Sequence, residues 1–189
     1  STAKDYDGSV AILDKVIDRQ GAKPNWRLYY LRAIAHERAG RWPMSEADLQ
    51  KALALAPNQP EVLNYLGYSW ADRGERLNDA LEMLRKAVGA NPNNGAMIDS
   101  LGWVYFRLGD YGRALGQLER AVALEPGDPD VNNHLGDVYW RVGRELEARF
   151  QWRRVLTLEP EPKLRGEVEE KLRNGLPAAL KTAATGGGS

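Results

Sequence analysis

The sequence predicts an all-α solenoid of stacked two-helix repeats, and three observations carry that prediction. Small residues recur at a fixed interval: Ala33, Gly67, Gly102 and Gly136 are spaced by 34, 35 and 34 residues. Further columns keep the register over four copies: Gly40, Gly74, Gly109 and Gly143; Ser45, Ala80, Ala114 and Ala148; Leu49, Leu84, Leu118 and Trp152; Ala52, Ala87, Ala121 and Val155; Pro57, Pro92, Pro126 and Pro160. Between the columns, apolar residues fall at helical spacing. Ile98, Leu101, Gly102, Tyr105 and Leu108 share one face, and Ala114, Leu115, Leu118, Ala121, Val122 and Leu124 share another before Pro126. Such a unit cannot bury its own stripes, so neighbours stack into a continuous core.

Taken in order, residues 1–20 read as the second helix of a truncated repeat, because Tyr6, Ser9, Leu13 and Val16 match Tyr111, Ala114, Leu118 and Ala121. Its first helix is missing, which suggests an array cut from a longer protein; a native N-terminal cap helix is the alternative. Four repeats follow, 26–59, 60–94, 95–128 and 129–160. The first departs from the pattern at Arg32, where later copies carry Leu66, Leu101 and Leu135. Pro60 and Pro129 sit at helix starts, where a missing N–H costs nothing, and Asp128 is a good N-cap. The one extra residue lies in the turn between Gly74 and Ala80, where insertion is cheapest. Residues 161–176 read as a capping helix with a narrow stripe of Leu164, Val168 and Leu172, covering the apolar end that a solenoid otherwise exposes. The tail, 177–189, collapses to Ala, Thr and Gly; its Gly-Gly-Gly-Ser reads as an added linker, and 184–189 are expected to be disordered.

A 34-residue helix–turn–helix unit with this Gly, Tyr, Ala and Pro punctuation resembles the tetratricopeptide repeat. The resemblance implies a right-handed solenoid acting as a scaffold that binds other proteins.

Composition and chemistry narrow the function. A formal net charge of zero argues against non-specific nucleic-acid binding or anionic-membrane binding, and no apolar run is long enough to span a membrane. The chain has no cysteine, which fits reducing and oxidising compartments alike. No catalytic set converges, so no enzyme is expected. His36 occupies a packing column, and His134 reads as a hydrogen-bond partner of a neighbouring helix rather than a metal ligand. The glycines at 109, 112 and 116 have the wrong spacing for a phosphate loop. No metal, cofactor or catalytic residue is therefore assigned.

In the family resembled, the concave side is lined mainly by the first helix of each repeat. Helical phase puts Asp99, Trp103, Phe106 and Arg107 off the core stripe of the third repeat. The matching positions include Tyr30 and Arg38 in the first, Asn64 and Tyr68 in the second, and Asn133, Trp140 and Arg141 in the fourth. These eleven residues predict an aromatic, arginine-bearing groove for a protein or peptide partner. Two readings of Trp103 and Trp140 stay open, as anchors for a partner or as seals of helix–helix joints. Arg141, Arg144, Arg149, Arg153 and Arg154 form a second patch, read as a solvated face rather than an anion site.

The segments Asn64-Tyr-Leu-Gly-Tyr68, Asp99-Ser-Leu-Gly-Trp103 and His134-Leu-Gly-Asp-Val-Tyr-Trp140 look like the C-terminal repeats of Gram-negative envelope tetratricopeptide proteins. These include lipoprotein adaptors that hold a periplasmic carboxyl-terminal processing protease and its substrates. The resemblance implies a periplasmic scaffold with such a protease as partner, lipoprotein-anchored through an N-terminal part missing here. The alternatives are a cytoplasmic regulatory module of a larger protein, an RNA-binding helical repeat, and a structural role in homo-oligomerisation.

Overall fold

The computed structural model describes residues 2–21 and 24–179, which form ten α-helices and no strand. They are α1 (Thr2–Asp18), α2 (Trp26–Arg38), α3 (Trp42–Leu55), α4 (Pro60–Arg73), α5 (Leu77–Ala90), α6 (Gly95–Arg107), α7 (Tyr111–Leu124), α8 (Pro129–Arg141), α9 (Glu145–Thr157) and α10 (Pro162–Asn174). The expectation for residues 184–189 lies outside the described residues. Helices α2 and α3, α4 and α5, α6 and α7, and α8 and α9 pair as hairpins. First helices also touch one another, α4 with α6 and α6 with α8, and so build an inner layer.

Each hairpin turns on a left-handed glycine: Gly40, Gly74, Gly109 and Gly143 have φ of 75°, 72°, 79° and 82°. The residue after each glycine donates its N–H five positions back, as Asp110 does to the Tyr105 carbonyl, which satisfies the last turn of the helix. The extra residue falls in the second of these turns. There Arg76 takes φ 43°, stacks over Trp70 at 4.2 Å and pairs with Asp79 at 2.9 Å. Asp128 caps α8 by accepting from the Asp130 and Val131 amides, and prolines open α4 and α8.

The two helices of a repeat cross closely at the glycine column. Gly102 does not simply face Ala114; the space where its Cβ would stand is taken by the Leu118 side chain, with Cγ 2.6 Å away. Gly67 against Leu84 and Gly136 against Trp152 repeat the contact. The glycine column thus accommodates the large column of the partner helix, while Ala80, Ala114 and Ala148 are fully buried beside it.

The Arg32 irregularity has a partner. Its guanidinium holds Asp48 through two hydrogen bonds of 2.7 Å and Asp14 through a third of 2.7 Å, tying α1, α2 and α3 together. Asp48 stands where Met83 stands one repeat later, so two positions that are apolar in the next repeat, where Leu66 and Met83 belong to the hydrophobic core, carry an ion pair here. Ile12, Val16 and Leu31 remain exposed on α1 and α2. At the other end, α10 docks through Val168, which is fully buried. The chain after it turns back at Gly175 (φ 70°) against the Trp140 ring, and Arg141 donates to the Pro177 carbonyl at 2.7 Å.

Candidate functional site

A cavity of about 470 Å³ opens on the inner layer. Tyr68 and Asp72 of α4, Trp103 of α6, and Asp130, Asn133, His134 and Asp137 of α8 form one wall. The chain entering α10 and α10 itself close it with Glu159, Glu161, Lys163, Leu164, Glu167 and Lys171. A smaller cavity of about 200 Å³ lies beside it, lined by Asn64, Tyr68, Asp99, Asp130 and His134 among others. Tyr68, Asp130 and His134 belong to both, so the two are continuous along the inner face.

The wall is braced by a buried polar knot. His134 Nδ1 lies 2.9 Å from both Asp99 carboxylate oxygens, and its ring stacks on Trp103 at 4.2 Å. Trp103 stacks in turn on Phe106 at 4.8 Å. Burial by itself would lower the His134 pKa. The Asp99 charge and hydrogen bond, with Asp137 and Asp130 nearby, outweigh it and hold the imidazole above its ordinary value. Lys171 reaches from α10 to Asn133 Oδ1 and to both Asp137 oxygens, each at 2.8 Å, and Trp152 Nε1 donates to Asp137 at 3.0 Å. Asp130 is held above the usual carboxylate range by partial burial and by the charges of Asp128, Asp99 and Glu161, against an opposing effect of His134.

Of the eleven residues read as a groove, five line these cavities: Tyr68, Trp103 and Asn133 the larger, and Asn64, Asp99 and again Tyr68 the smaller. Asp99, Trp103 and Asn133 are not open groove residues but buried ones, at 6%, 8% and 6% exposure. The physical reason is the inner layer: α6 is packed by α4 on one side and α8 on the other, so the phase that leaves its core stripe enters a second interface. Trp103 therefore seals a helix–helix joint. Trp140 does likewise, packed by Trp152 at 5.5 Å, Arg149 at 5.4 Å and Gly175. Phe106 and Arg107 lie at the turn end of α6, where Phe106 meets Tyr111 and Arg107 donates to the Asp72 carbonyl. Tyr30 sits edge-on to Tyr65 at 5.8 Å and lines neither cavity, and Arg38 is exposed on α2. Arg141 is engaged by the Pro177 carbonyl.

The expected arginine character is corrected as well. None of Arg38, Arg107 and Arg141 lines the cavity; six carboxylates do, against two lysines. The C-terminal arginine patch is also largely structural. Arg144 pairs with Glu147, Arg149 donates to the Leu172 carbonyl and Arg154 to the Pro126 carbonyl. His134 does bond to the neighbouring helix, as its position in the repeat suggests. The sequence reading missed Asp130, Glu159, Glu161 and Glu167. Their only signal is that the acids cluster on first helices and around the start of α10.

Hairpins of two helices stacked through an inner and an outer layer define a helical-repeat solenoid. Family models for the tetratricopeptide repeat match residues 26–59 and, as a TPR repeat, residues 102–143. The chain is a tetratricopeptide-repeat protein. Its fold is similar to that of TTC0263, a thermophilic TPR protein of Thermus thermophilus, with a TM-score of 0.72 at 23% identity, covering 89% of this chain and 91% of that one. It is similar also to MamA, with a TM-score of 0.63 at 23% identity over 83% of this chain and 88% of that one. In sequence it resembles the TPR repeat-containing protein PA4667 of Pseudomonas aeruginosa, 38% identical over 82 residues, 43% of this chain and 14% of that protein. It also resembles superkiller complex protein 3 of Mus musculus, 28% identical over 114 residues, 60% of this chain and 7% of that protein. The chain thus spans a small part of the length of these curated relatives. Proteins of this family act in general as protein-interaction scaffolds and are typically non-enzymatic. Among the described residues no helix is long and apolar enough to cross a membrane, and no cluster of His, Cys, Asp or Glu could hold a metal ion.

Proposed function

We propose that the protein is a non-enzymatic adaptor that holds a partner protein along the inner cavity, and that it serves in a bacterial envelope complex such as a protease with its substrates. The observation that carries the reading is the cavity itself, preformed on α4, α6, α8 and α10, concave and large enough for several side chains. The envelope setting rests on the resemblance of the inner-helix segments around Tyr68, Trp103 and Trp140 to envelope adaptors. The partner bears on rim residues, because Asp99, Trp103 and His134 are committed to the joint between α6 and α8.

The test is site-specific photo-cross-linking. A photo-reactive residue placed at Tyr68 or Leu164 faces the cavity; the same residue at Leu146, 82% exposed on α9, faces outward. Cross-links from the cavity positions and none from the outer one are expected with a periplasmic extract of the source cell. Cross-links from Leu146 alone would overturn the cavity as the binding face. A partner recovered from the cytosolic fraction alone would overturn the envelope setting.

A further inference from the structure

We propose that the inner cavity takes a basic segment of its partner, an extended stretch bearing lysine or arginine, and rejects an acidic one. The inference rests on the cavity being the partner site.

Charge is the first ground. The lining holds Asp72, Asp130, Asp137, Glu159, Glu161 and Glu167 against Lys163, Lys171 and His134, the last of them held by Asp99 at 2.9 Å. Both lysines are already engaged: Lys171 by Asp137 at 2.8 Å, Lys163 by Glu167 at 3.9 Å. Among the described residues no cation lies within ion-pair distance of Asp72, Asp130, Glu159 or Glu161. Like charges lining a concave wall focus a negative potential that draws cations in.

The second ground is independent of charge. Trp103 is a wall of this cavity, is more than nine-tenths buried, and its Nε1–H meets no acceptor among the described residues. In the adjoining cavity the buried Oδ1 of Asn64 meets no donor. A buried unpaired donor and a buried unpaired acceptor along one wall are the complement of a peptide amide, which offers one C=O and one N–H per residue. Tyr68 lies between them as a wall of both cavities and offers an aromatic surface for the stem of a lysine or arginine.

The third ground is that the molecule already seats an ammonium in this wall. Lys171 of α10 is held by Asn133 and Asp137, one repeat along from Asp99 and Trp103. A partner lysine at Asp130 and Glu161, or at Asp72, would meet the same chemistry. It would also relieve the negative charge that adds to burial in raising the Asp130 carboxyl.

The experiment uses a fluorescein-labelled peptide of lysines spaced by glycine and serine, with a glutamate counterpart of equal length, read by anisotropy. The whole chain should bind the lysine peptide with strong salt dependence and leave the glutamate peptide free. The variant Asp72→Asn/Asp130→Asn/Glu161→Gln, altered only at exposed rim positions, should bind at least roughly tenfold more weakly. A second variant, Glu75→Gln/Glu145→Gln/Glu169→Gln, removes the same charge from exposed sites outside the cavity and should bind as the parent does. Circular dichroism checks folding; if the first variant melts early, Asp72→Asn and Glu161→Gln are read singly. Equal binding of both peptides, equal loss in both variants, or no binding of the lysine peptide would each overturn the proposal. Cavity cross-links to a partner that persisted in those cases would leave the adaptor reading intact and remove only its basic ligand.

Discussion

Replacing Gly102 by alanine sets two effects of known size against each other. In an α-helix interior alanine is favoured over glycine by about 1 kcal/mol, through backbone entropy. At Gly102 the added Cβ would stand 2.6 Å from Leu118 Cγ, 2.8 Å from Leu118 Cδ2 and 3.3 Å from Gln117 Cβ. Leu118 is fully buried between α6 and α7 and has no open space to enter, so overpacking of about 1–3 kcal/mol applies. The clash wins or nearly cancels, and Gly102→Ala should be neutral to about 2 kcal/mol destabilising. Gly116, on the exposed face of α7 with nothing near its absent Cβ, keeps only the propensity gain, so Gly116→Ala should raise stability by up to about 1 kcal/mol. The contrast between the variants corresponds to several degrees in melting temperature for a chain of this length, at about 2–4 °C per kcal/mol. Adding Leu118→Ala to Gly102→Ala should show favourable coupling of about 0.5–3 kcal/mol, because shortening the leucine removes the clash. Thermal melts followed by circular dichroism measure all four variants. Equal stabilisation by the two glycine substitutions would refute the crossing, and so would strict additivity with Leu118→Ala.

Asp48→Ala leaves the Arg32 guanidinium, 21% exposed, with Asp14 as its one carboxylate and should cost about 2–3 kcal/mol, whereas Arg32→Leu/Asp48→Met, the residues of the next repeat, should recover most of it in urea titrations. Trp103→Ala should cost about 3–5 kcal/mol and lower the melting temperature, as a core tryptophan does, rather than leave the fold intact. His134 is charged in the folded chain at pH values where the unfolded chain has lost its proton, because its folded pKa lies above 6.5. Its contribution to stability is therefore full below about pH 6.5 and fades as pH rises through the folded value. His134→Gln should flatten that decline in melts across neutral and mildly alkaline pH, and an unchanged slope would refute the ion pair with Asp99.

What the sequence disclosed and what it concealed divide along physical lines. The columns were legible because their chemistry has few solutions. A left-handed turn at Gly109 and a close approach at Gly102 are each met by glycine, and each recurs at the repeat length. The fate of the Asp99–Trp103 face was not legible. A 3.6-residue period identifies one buried stripe, but α6 packs against α4, α5, α7 and α8, and nothing local in Gly95–Arg107 says that α4 and α8 flank it. The compensation at Arg32 was half visible. The odd residue stood out in its column, while its answer, Asp48, lies on the next helix in a column that varies freely. The acidic lining was hidden by arithmetic, since a chain of formal charge zero can still sort its acids to one surface.

That sorting follows from how a solenoid divides its labour. Inner-helix positions serve different masters: Asp99 and Trp103 hold α6 to α8, whereas Asp72 and Asp130, with Glu161 at the start of α10, stand exposed at the rim. A substitution in the first set loses a stacked or hydrogen-bonded joint, and with it the wall of the cavity. A substitution in the second changes the potential inside the cavity at little structural cost, because these carboxylates hold no cation among the described residues. Unpaired rim charges on a rigid wall are costly to keep for stability alone, as each raises the repulsion felt by the others; Asp130, raised first by its partial burial, also feels Glu161. A partner bearing the opposite charge removes the repulsion on binding, so the strain of the free state becomes part of the affinity for a basic ligand.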